Sequence, residues 1–272
     1  MIKQAIIPLA GLGTRMLPLT SVMPKELLPI NGKPNLEYIM EECIQAGIKQ
    51  FIFIISRNKM SIKKYFFNDN FYKKILLKKN DKRIKNEFIK LKKYQKMIKF
   101  VYQNKPKGTG DAILKCKKYL KNKYFLMLFP DDLILKKNCS IEMIKLHQKT
   151  KSSIIATKTV KKKTVSRWGI LSVKNKKKNY FEITNVVEKP SLAKAESNYA
   201  IIGRYILPVK IIDEIKKIKP GHGKEIHVTD AIKNLINKNE KFYANIFKGK
   251  YLDCGTLEGY INSGLEIKKS RL

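Results

Sequence analysis

The sequence predicts an α/β fold organised on a mainly parallel, doubly wound sheet. Two observations carry that expectation. Short apolar runs of strand length alternate with helically spaced segments through the first half of the chain, and such alternation builds βαβ units whose strands lie parallel. The first apolar run also passes straight into a turn that holds Gly11 and Gly13, and open α/β sheets receive their ligands just beyond strand carboxyl ends.

The elements follow in order. Residues 5–9 read as a strand, and 35–46 as a helix that Gly47 ends, because glycine accepts the left-handed conformation past a helix terminus. Residues 51–55 form a buried strand. The lysine-rich stretch 60–99 carries Ile75, Leu76, Ile84, Phe88 and Leu91 at helical spacing and reads as an amphipathic surface insertion. Strands are expected at 99–103 and 124–129, on either side of a helix at 111–120. From residue 153 on, strand signals fall at 154–157, 168–173, 181–187 and 200–207, followed by helices at 209–217 and 228–238. No repeat or disordered linker is visible. One domain over residues 1–272 is therefore expected, with an N-terminal half of about 1–150 and a C-terminal half of about 151–272.

A chain of 272 residues with 43% hydrophobic content can bury a sizeable core. Its longest apolar runs are too short to cross a bilayer, and no basic-then-apolar leader precedes the first strand. A cytoplasmic protein without a membrane partner is expected. Cys43, Cys116, Cys139 and Cys254 lack CxxC spacing and read as buried reduced thiols. With only three histidines, any metal is expected on carboxylates.

The formal charge of +36 raises a nucleic-acid reading. Only six of the 58 basic residues are arginines, however, and arginine is the side chain that reads guanine bidentately and stacks on bases. The lysines are spread along the chain beside abundant isoleucine and asparagine. Those three amino acids share A/T-rich codons, so most of the charge reads as compositional drift on solvated faces. No specific nucleic-acid partner is expected.

Five segments carry chemistry. In the first, Ala10, Gly11 and Gly13 are followed by Arg15, and Pro24-Lys25-Glu26 comes soon after. Glycines let backbone N–H groups approach phosphate oxygens. Arg15 adds a planar fork and Lys25 a compact charge. A plain glycine turn would explain Gly11 and Gly13 but neither cation. The loop is not a dinucleotide fingerprint, since Met16 stands where the third glycine belongs, nor a Walker A loop, since Thr14-Arg15 replaces Lys-Ser/Thr. In the second segment, Asp131 and Asp132 close an apolar strand. A carboxylate there suits Mg²⁺, although a capping role would account for one of the pair.

The third segment is Gln103 with Gly108 and Gly110. An amide can both donate and accept toward a base edge, while a bland turn that starts a helix fits as well. In the fourth, Glu188-Lys189-Pro190 ends a strand. Glu188 could accept from sugar hydroxyls and Lys189 hold a phosphate, or the two could be an exposed ion pair worth under ~1 kcal/mol. The fifth is Asp253 before Cys254-Gly255, a second metal ligand or an Asx turn.

Together these segments resemble the sugar-1-phosphate nucleotidyltransferases, and within them the bacterial UTP–glucose-1-phosphate uridylyltransferases. The likeness rests on the opening loop, Pro24-Lys25-Glu26, Glu188-Lys189-Pro190, residues 198–205 and 225–232, and Asp253-Cys254-Gly255, and runs from residue 2 to about residue 267. It implies a Rossmann-like three-layer α/β/α sandwich with a mixed, mainly parallel central sheet. It further implies transfer of a uridylyl group from UTP to glucose 1-phosphate, with Mg²⁺ as cofactor, in a homo-oligomer. By position, Ala10, Gly11 and Gly13 would bind nucleotide, Arg15 the leaving pyrophosphate, Lys25 the α-phosphate, and Gln103 with Gly108 the uracil. Asp131 and Asp253 would hold the metal, Asp131 aligning with the first acid of the family pattern. Gly169, Glu188 and Lys189 would hold glucose and its phosphate. Asn35, Glu37 and His227 depart from the family pattern. A dTTP-using thymidylyltransferase is the sister alternative, since uracil and thymine differ by one methyl, worth only ~1–3 kcal/mol in a pocket.

Overall fold

In the computed structural model, which describes residues 1–270, one nine-stranded sheet runs through both halves of the chain. The first half lays down β1 (Gln4–Pro8), the small hairpin of β2 (Pro29–Ile30) and β3 (Lys33–Pro34), α1 (Asn35–Gln45) and β4 (Gln50–Ile55). The helices α2 (Met60–Phe67), α3 (Asp69–Lys78) and α4 (Lys82–Met97) follow, then β5 (Ile98–Tyr102), α5 (Thr109–Lys115), β6 (Tyr124–Leu128), β7 (Asp132–Leu135) and α6 (Cys139–Thr150). The second half adds β8 (Ser153–Thr159), β9 (Gly169–Lys174), β10 (Tyr180–Glu188), β11 (Tyr199–Pro208) and α7 (Ile211–Ile215). It ends with α8 (Val228–Asn237), β12 (Phe242–Ile246), β13 (Lys250–Asp253) and α9 (Leu257–Lys269).

The strand order is β5-β4-β1-β6-β11-β8-β12-β10-β9. Strands β5, β4, β1 and β6 are mutually parallel, as helical crossovers require. The second half is mixed. Strand β11 is antiparallel to β6 and β8, β12 is parallel to β8, and β10 is antiparallel to β12 and β9. For β9 and β10 the reason is connection length: β9 reaches β10 through a short turn containing Asn175 at φ 49°, and a short turn can only reverse the chain.

Successive residues of the central strands point to opposite faces. Ala5, Ile7, Phe51 and Phe53 join one buried cluster with α1 and α6. Ile6, Ile52 and Ile54 join the other with α5, α7 and α8. Two apolar layers on one sheet make the Rossmann-like α/β/α sandwich.

The insertion at 60–99 is helical, as its spacing suggests, and consists of the three helices α2, α3 and α4. Asp81 caps α4 by accepting from the Arg83 and Ile84 amides, which separates it from α3. It is also not purely superficial: Ile62, Phe66, Leu91 and Tyr94 reach the core. Lys90 of α4 lies 2.9 Å from Glu37 and the Tyr65 hydroxyl donates to Glu37 at 2.5 Å. Glu37 is fully buried, so the insertion supplies the partners that this departure from the family pattern needs.

Arg204 of β11, also fully buried, donates to both carboxylate oxygens of Glu42 from α1 at 2.6 to 3.2 Å. The same carboxylate accepts from the Ser140 hydroxyl of α6 at 2.6 Å. Sheet and two helices are thereby tied through one charge pair. Removing one member leaves the other charge uncompensated, which costs about 3–5 kcal/mol. Glu42→Ala is therefore expected to lower unfolding stability by about that amount in urea titration with an unchanged m-value; a loss under ~1 kcal/mol would show that the pair does not hold these layers together.

Candidate active site

The loop after β1 is shaped by Gly13, which caps a 3-10 turn (Thr14–Met16) at φ 71°. That conformation is strained for other residues, and a Cβ there would press on Thr20 at 3.1 Å. Gly11 is different: a Cβ there would meet nothing within 4 Å, so its backbone faces open space. Ala10, Gly11 and Arg15 line a cleft of about 370 Å³ with Lys25, Gln103 and Gly108. Gly13 shapes the loop without lining that cleft.

Lys25 starts a second 3-10 turn (Lys25–Leu27), and its ammonium lies 2.5 Å from Asp131 Oδ2. Burial pulls its pKa down, but the charges of Asp131 and Glu26 outweigh that and hold it above the usual lysine value. Glu26 is itself buried and held on both oxygens by Lys59 at 2.8 and 2.9 Å, which fixes the turn that aims Lys25. Arg15 Nη2 stands 3.6 Å from the same Asp131 oxygen.

The aspartate doublet divides. Asp131 faces the cleft. Burial opposes its charge, yet Lys25, a backbone hydrogen bond and Arg15 keep its carboxyl below the ordinary range. Asp132 also borders the site but is engaged by protein donors, accepting from the Tyr251 hydroxyl at 2.5 Å and the Gly203 amide at 3.0 Å. Burial and the neighbouring Asp131 charge push Asp132 up to about 6. Gly203 is required here, because a Cβ would collide with Asp132 and Phe129.

Strand β13 pairs antiparallel with β7, Asp253 opposite Asp132, and the Cys254 amide donates to the Asp131 carbonyl at 2.7 Å. This ribbon brings the two distant acidic segments together. Asp131 Oδ2 and Asp253 Oδ1 lie 2.7 and 3.1 Å from the point a Cβ would occupy on Gly255, and Arg15 Nη2 lies 2.6 Å from it. Among the described residues no set of three or more His, Cys, Asp or Glu is gathered for a metal. The two carboxylates converge beside a glycine that adds no side chain, and their oxygens fit a hard divalent cation that displaces the Arg15 guanidinium and takes its other oxygens from substrate and water.

A second cleft, of about 280 Å³, is lined by Gly169, Glu188, Lys189, Trp168, His227 and Asp253. Gly169 opposes Glu188 in the β9–β10 ladder, and a Cβ on it would come within 3.3 Å of Glu188 Oε2. The Thr229 hydroxyl donates to that oxygen at 3.1 Å. Arg15, Thr109, Phe129, Asp131 and Glu225 line both clefts. The two spaces therefore meet at Asp131 and Arg15.

Residue types alone left several participants unread. Trp168, Thr229 and Tyr251 carry no motif of their own and become visible only through their neighbours. Gly255 contributes to the family likeness, and the room it leaves beside Asp131 and Asp253 emerges only from the fold. Gly108 at φ 94° lies against the Ile226 backbone, 2.5 Å from its carbonyl oxygen to a would-be Cβ, a contact across the fold.

The nucleotidyl transferase family model matches residues 4–270. A putative UTP–glucose-1-phosphate uridylyltransferase of Methanocaldococcus jannaschii is 36% identical over 271 residues, covering 100% of this chain and 95% of that protein. An apo UDP-glucose pyrophosphorylase structure superposes with a TM-score of 0.89 at 36% identity, covering 100% of both chains. A UDP-glucose pyrophosphorylase structure complexed with UDP-glucose gives 0.86 at 35% identity, covering 99% of this chain and 100% of that one.

Filling the space at Gly255 tests the carboxylate pair. Gly255→Ala is expected to lower Mn²⁺ affinity in calorimetric titration by about tenfold or more, with the thermal midpoint moving less than ~4 °C. Unchanged affinity would place cation binding elsewhere.

Proposed function

Because this chain belongs to the nucleotidyl transferase family, we propose that it transfers the uridylyl group of UTP to glucose 1-phosphate, giving UDP-glucose and pyrophosphate. The observation that carries the proposal is the junction of two clefts at Asp131 and Arg15. One cleft has glycine backbone, Lys25 and Gln103 for a nucleotide; the other has Glu188 and Lys189 for a sugar phosphate. The relatives reported above are named for UTP or UDP-glucose, which favours uridylyl over thymidylyl transfer. The division of labour follows the chain, with residues 1–150 chiefly on the nucleotide and 151–272 chiefly on the sugar phosphate.

The reaction needs no covalent nucleophile. A phosphate oxygen of glucose 1-phosphate attacks the α-phosphorus in line, the bond to the bridging oxygen of the β-phosphate breaks, and pyrophosphate leaves with that electron pair. The protein has to align two anions and stabilise charge on the leaving group. Gly11 and Ala10 would receive phosphate oxygens, Lys25 the α-phosphate, and Arg15 the departing pyrophosphate. Lys189 would hold the sugar phosphate, while Glu188, oriented by Thr229, accepts from sugar hydroxyls. Asp131 and Asp253 would hold a divalent cation, Mg²⁺ by its oxygen preference, which screens the repulsion between reactants and neutralises developing charge. A cytoplasmic setting belongs to the proposal, supported by four free buried thiols that suit a reducing compartment.

Pyrophosphate release with UTP, glucose 1-phosphate and Mg²⁺ tests the reading, and no turnover with UTP would overturn it. Asp253→Asn is expected to lower kcat by about two orders of magnitude or more; near-normal turnover would remove Asp253 from the metal site. Lys25→Met should separate two roles of one side chain. Its ammonium lies against Asp131 Oδ2, so its loss is expected to strengthen Mn²⁺ binding severalfold while turnover falls about a hundredfold. Weaker Mn²⁺ binding in that variant would contradict the competition.

A further inference from the structure

Gln103 is a site residue by likeness, but its side-chain amide has two ends with opposite hydrogen-bonding character, and only one can face the nucleotide. The structure decides which. Nε2 donates to Asp111 Oδ2 at 2.8 Å and to the Gly108 carbonyl at 3.1 Å. Both partners are acceptors, so rotating the amide by 180° would set oxygen against two oxygens. The orientation is therefore dictated by its two acceptor partners. Among the described residues no protein hydrogen bond reaches Gln103 Oε1, and Gln103 lines the nucleotide-side cleft.

Asp111 is 7% exposed, lies in the first turn of α5 and has Lys115 at 3.8 Å from its other oxygen. The Gly110 amide beside it is fastened to the Ile226 carbonyl at 2.8 Å. The carboxylate is thus built into a rigid corner. We propose that Asp111 is a positioning residue that sets base selectivity by locking the Gln103 amide with its oxygen toward the base. The proposal rests on the nucleotide reading of this cleft and extends it from where the base sits to which base is accepted.

The cleft then offers an acceptor at Gln103 Oε1 and a donor at the Gly108 amide, which makes no protein hydrogen bond among the described residues. Uracil presents a ring N–H next to a carbonyl, the complement of that pair. Cytosine presents a ring nitrogen lone pair at the N–H position and sets acceptor against acceptor. Cytosine could satisfy both groups only by sliding one position along the cleft, which would pull the ribose and phosphates out of register with Arg15 and Lys25. A carboxamide free to flip would present its N–H₂ to cytosine and lose the distinction.

The test compares kcat/KM for UTP and CTP, with equilibrium binding of each nucleotide by calorimetry. Asp111→Ala is expected to reduce the UTP-to-CTP ratio by about tenfold or more, mainly through a raised KM for UTP. Asp111→Asn, whose Oδ1 still accepts from Nε2, is expected to keep the ratio within about threefold of the parent. Equal losses with UTP and CTP in Asp111→Ala would assign Asp111 a merely structural role and overturn the proposal. Collapse of selectivity in Asp111→Asn would overturn it too. If the parent protein transfers no uridylyl group, the functional reading fails, and the calorimetric UTP-to-CTP ratio still decides the role of Asp111.

Discussion

The pairing of β7 with β13 is the constraint on which the site depends. Four residue pairs of antiparallel ribbon hold Asp131 and Asp253 around one point, although the two lie in opposite halves of the chain. Backbone hydrogen bonds do the positioning, so neither carboxylate relies on a flexible loop for its place. Asp132 completes the arrangement from behind by joining Tyr251 of one strand to Gly203 of β11. Burial first, and then the charge of the neighbouring Asp131, push the Asp132 carboxyl up to about 6. Burial opposes the charge of both aspartates, and only Asp131 has Lys25 and Arg15 beside it to offset that.

Arg204–Glu42 and Glu26–Lys59 repeat the same logic at a distance from the chemistry. Each pair is withdrawn from water and bound at both oxygens of its carboxylate, which is what makes a buried charge tolerable. Glu26–Lys59 matters for function because it fixes the turn carrying Lys25. Arg204–Glu42 matters for the sheet, because β11 is the strand where the parallel half meets the mixed half.

The α/β class, the central strands and the order of the motifs were legible because period-2 and period-3.6 patterns are local. Helix α6, strand β12 and the β7–β13 ribbon were not read, since β13 is short and its alternation gains meaning only from a partner far away in sequence. The break between α3 and α4 within the 60–99 stretch was signalled by Asp81, a helix cap hidden among lysines. Glu37 looked like an anomaly for the same reason: its partners, Lys90 and Tyr65, belong to an insertion whose packing no local pattern states. Residue identity announced Arg15, Lys25, Asp131, Glu188 and Asp253, whereas the division of labour within Asp131-Asp132 and the orientation of Gln103 needed coordinates.

The distribution of charge shows why a formal +36 says little about the reaction. Surface lysines spread over many faces interact through water, and at physiological ionic strength their fields decay within about 8 Å. They raise the encounter rate of any polyanion and discriminate poorly among them. In the cleft the situation reverses. Lys25 has only 15% of its side chain exposed and is held against Asp131, so its charge acts at short range in a medium that screens weakly. Arg15 stands at the junction of the two clefts with 59% of its side chain exposed. Under the proposed reaction a buried and an exposed cation would suit different moments: the first would align the bound α-phosphate, and the second would meet the leaving group. Burial, rather than the number of basic residues, decides which charges can do this work.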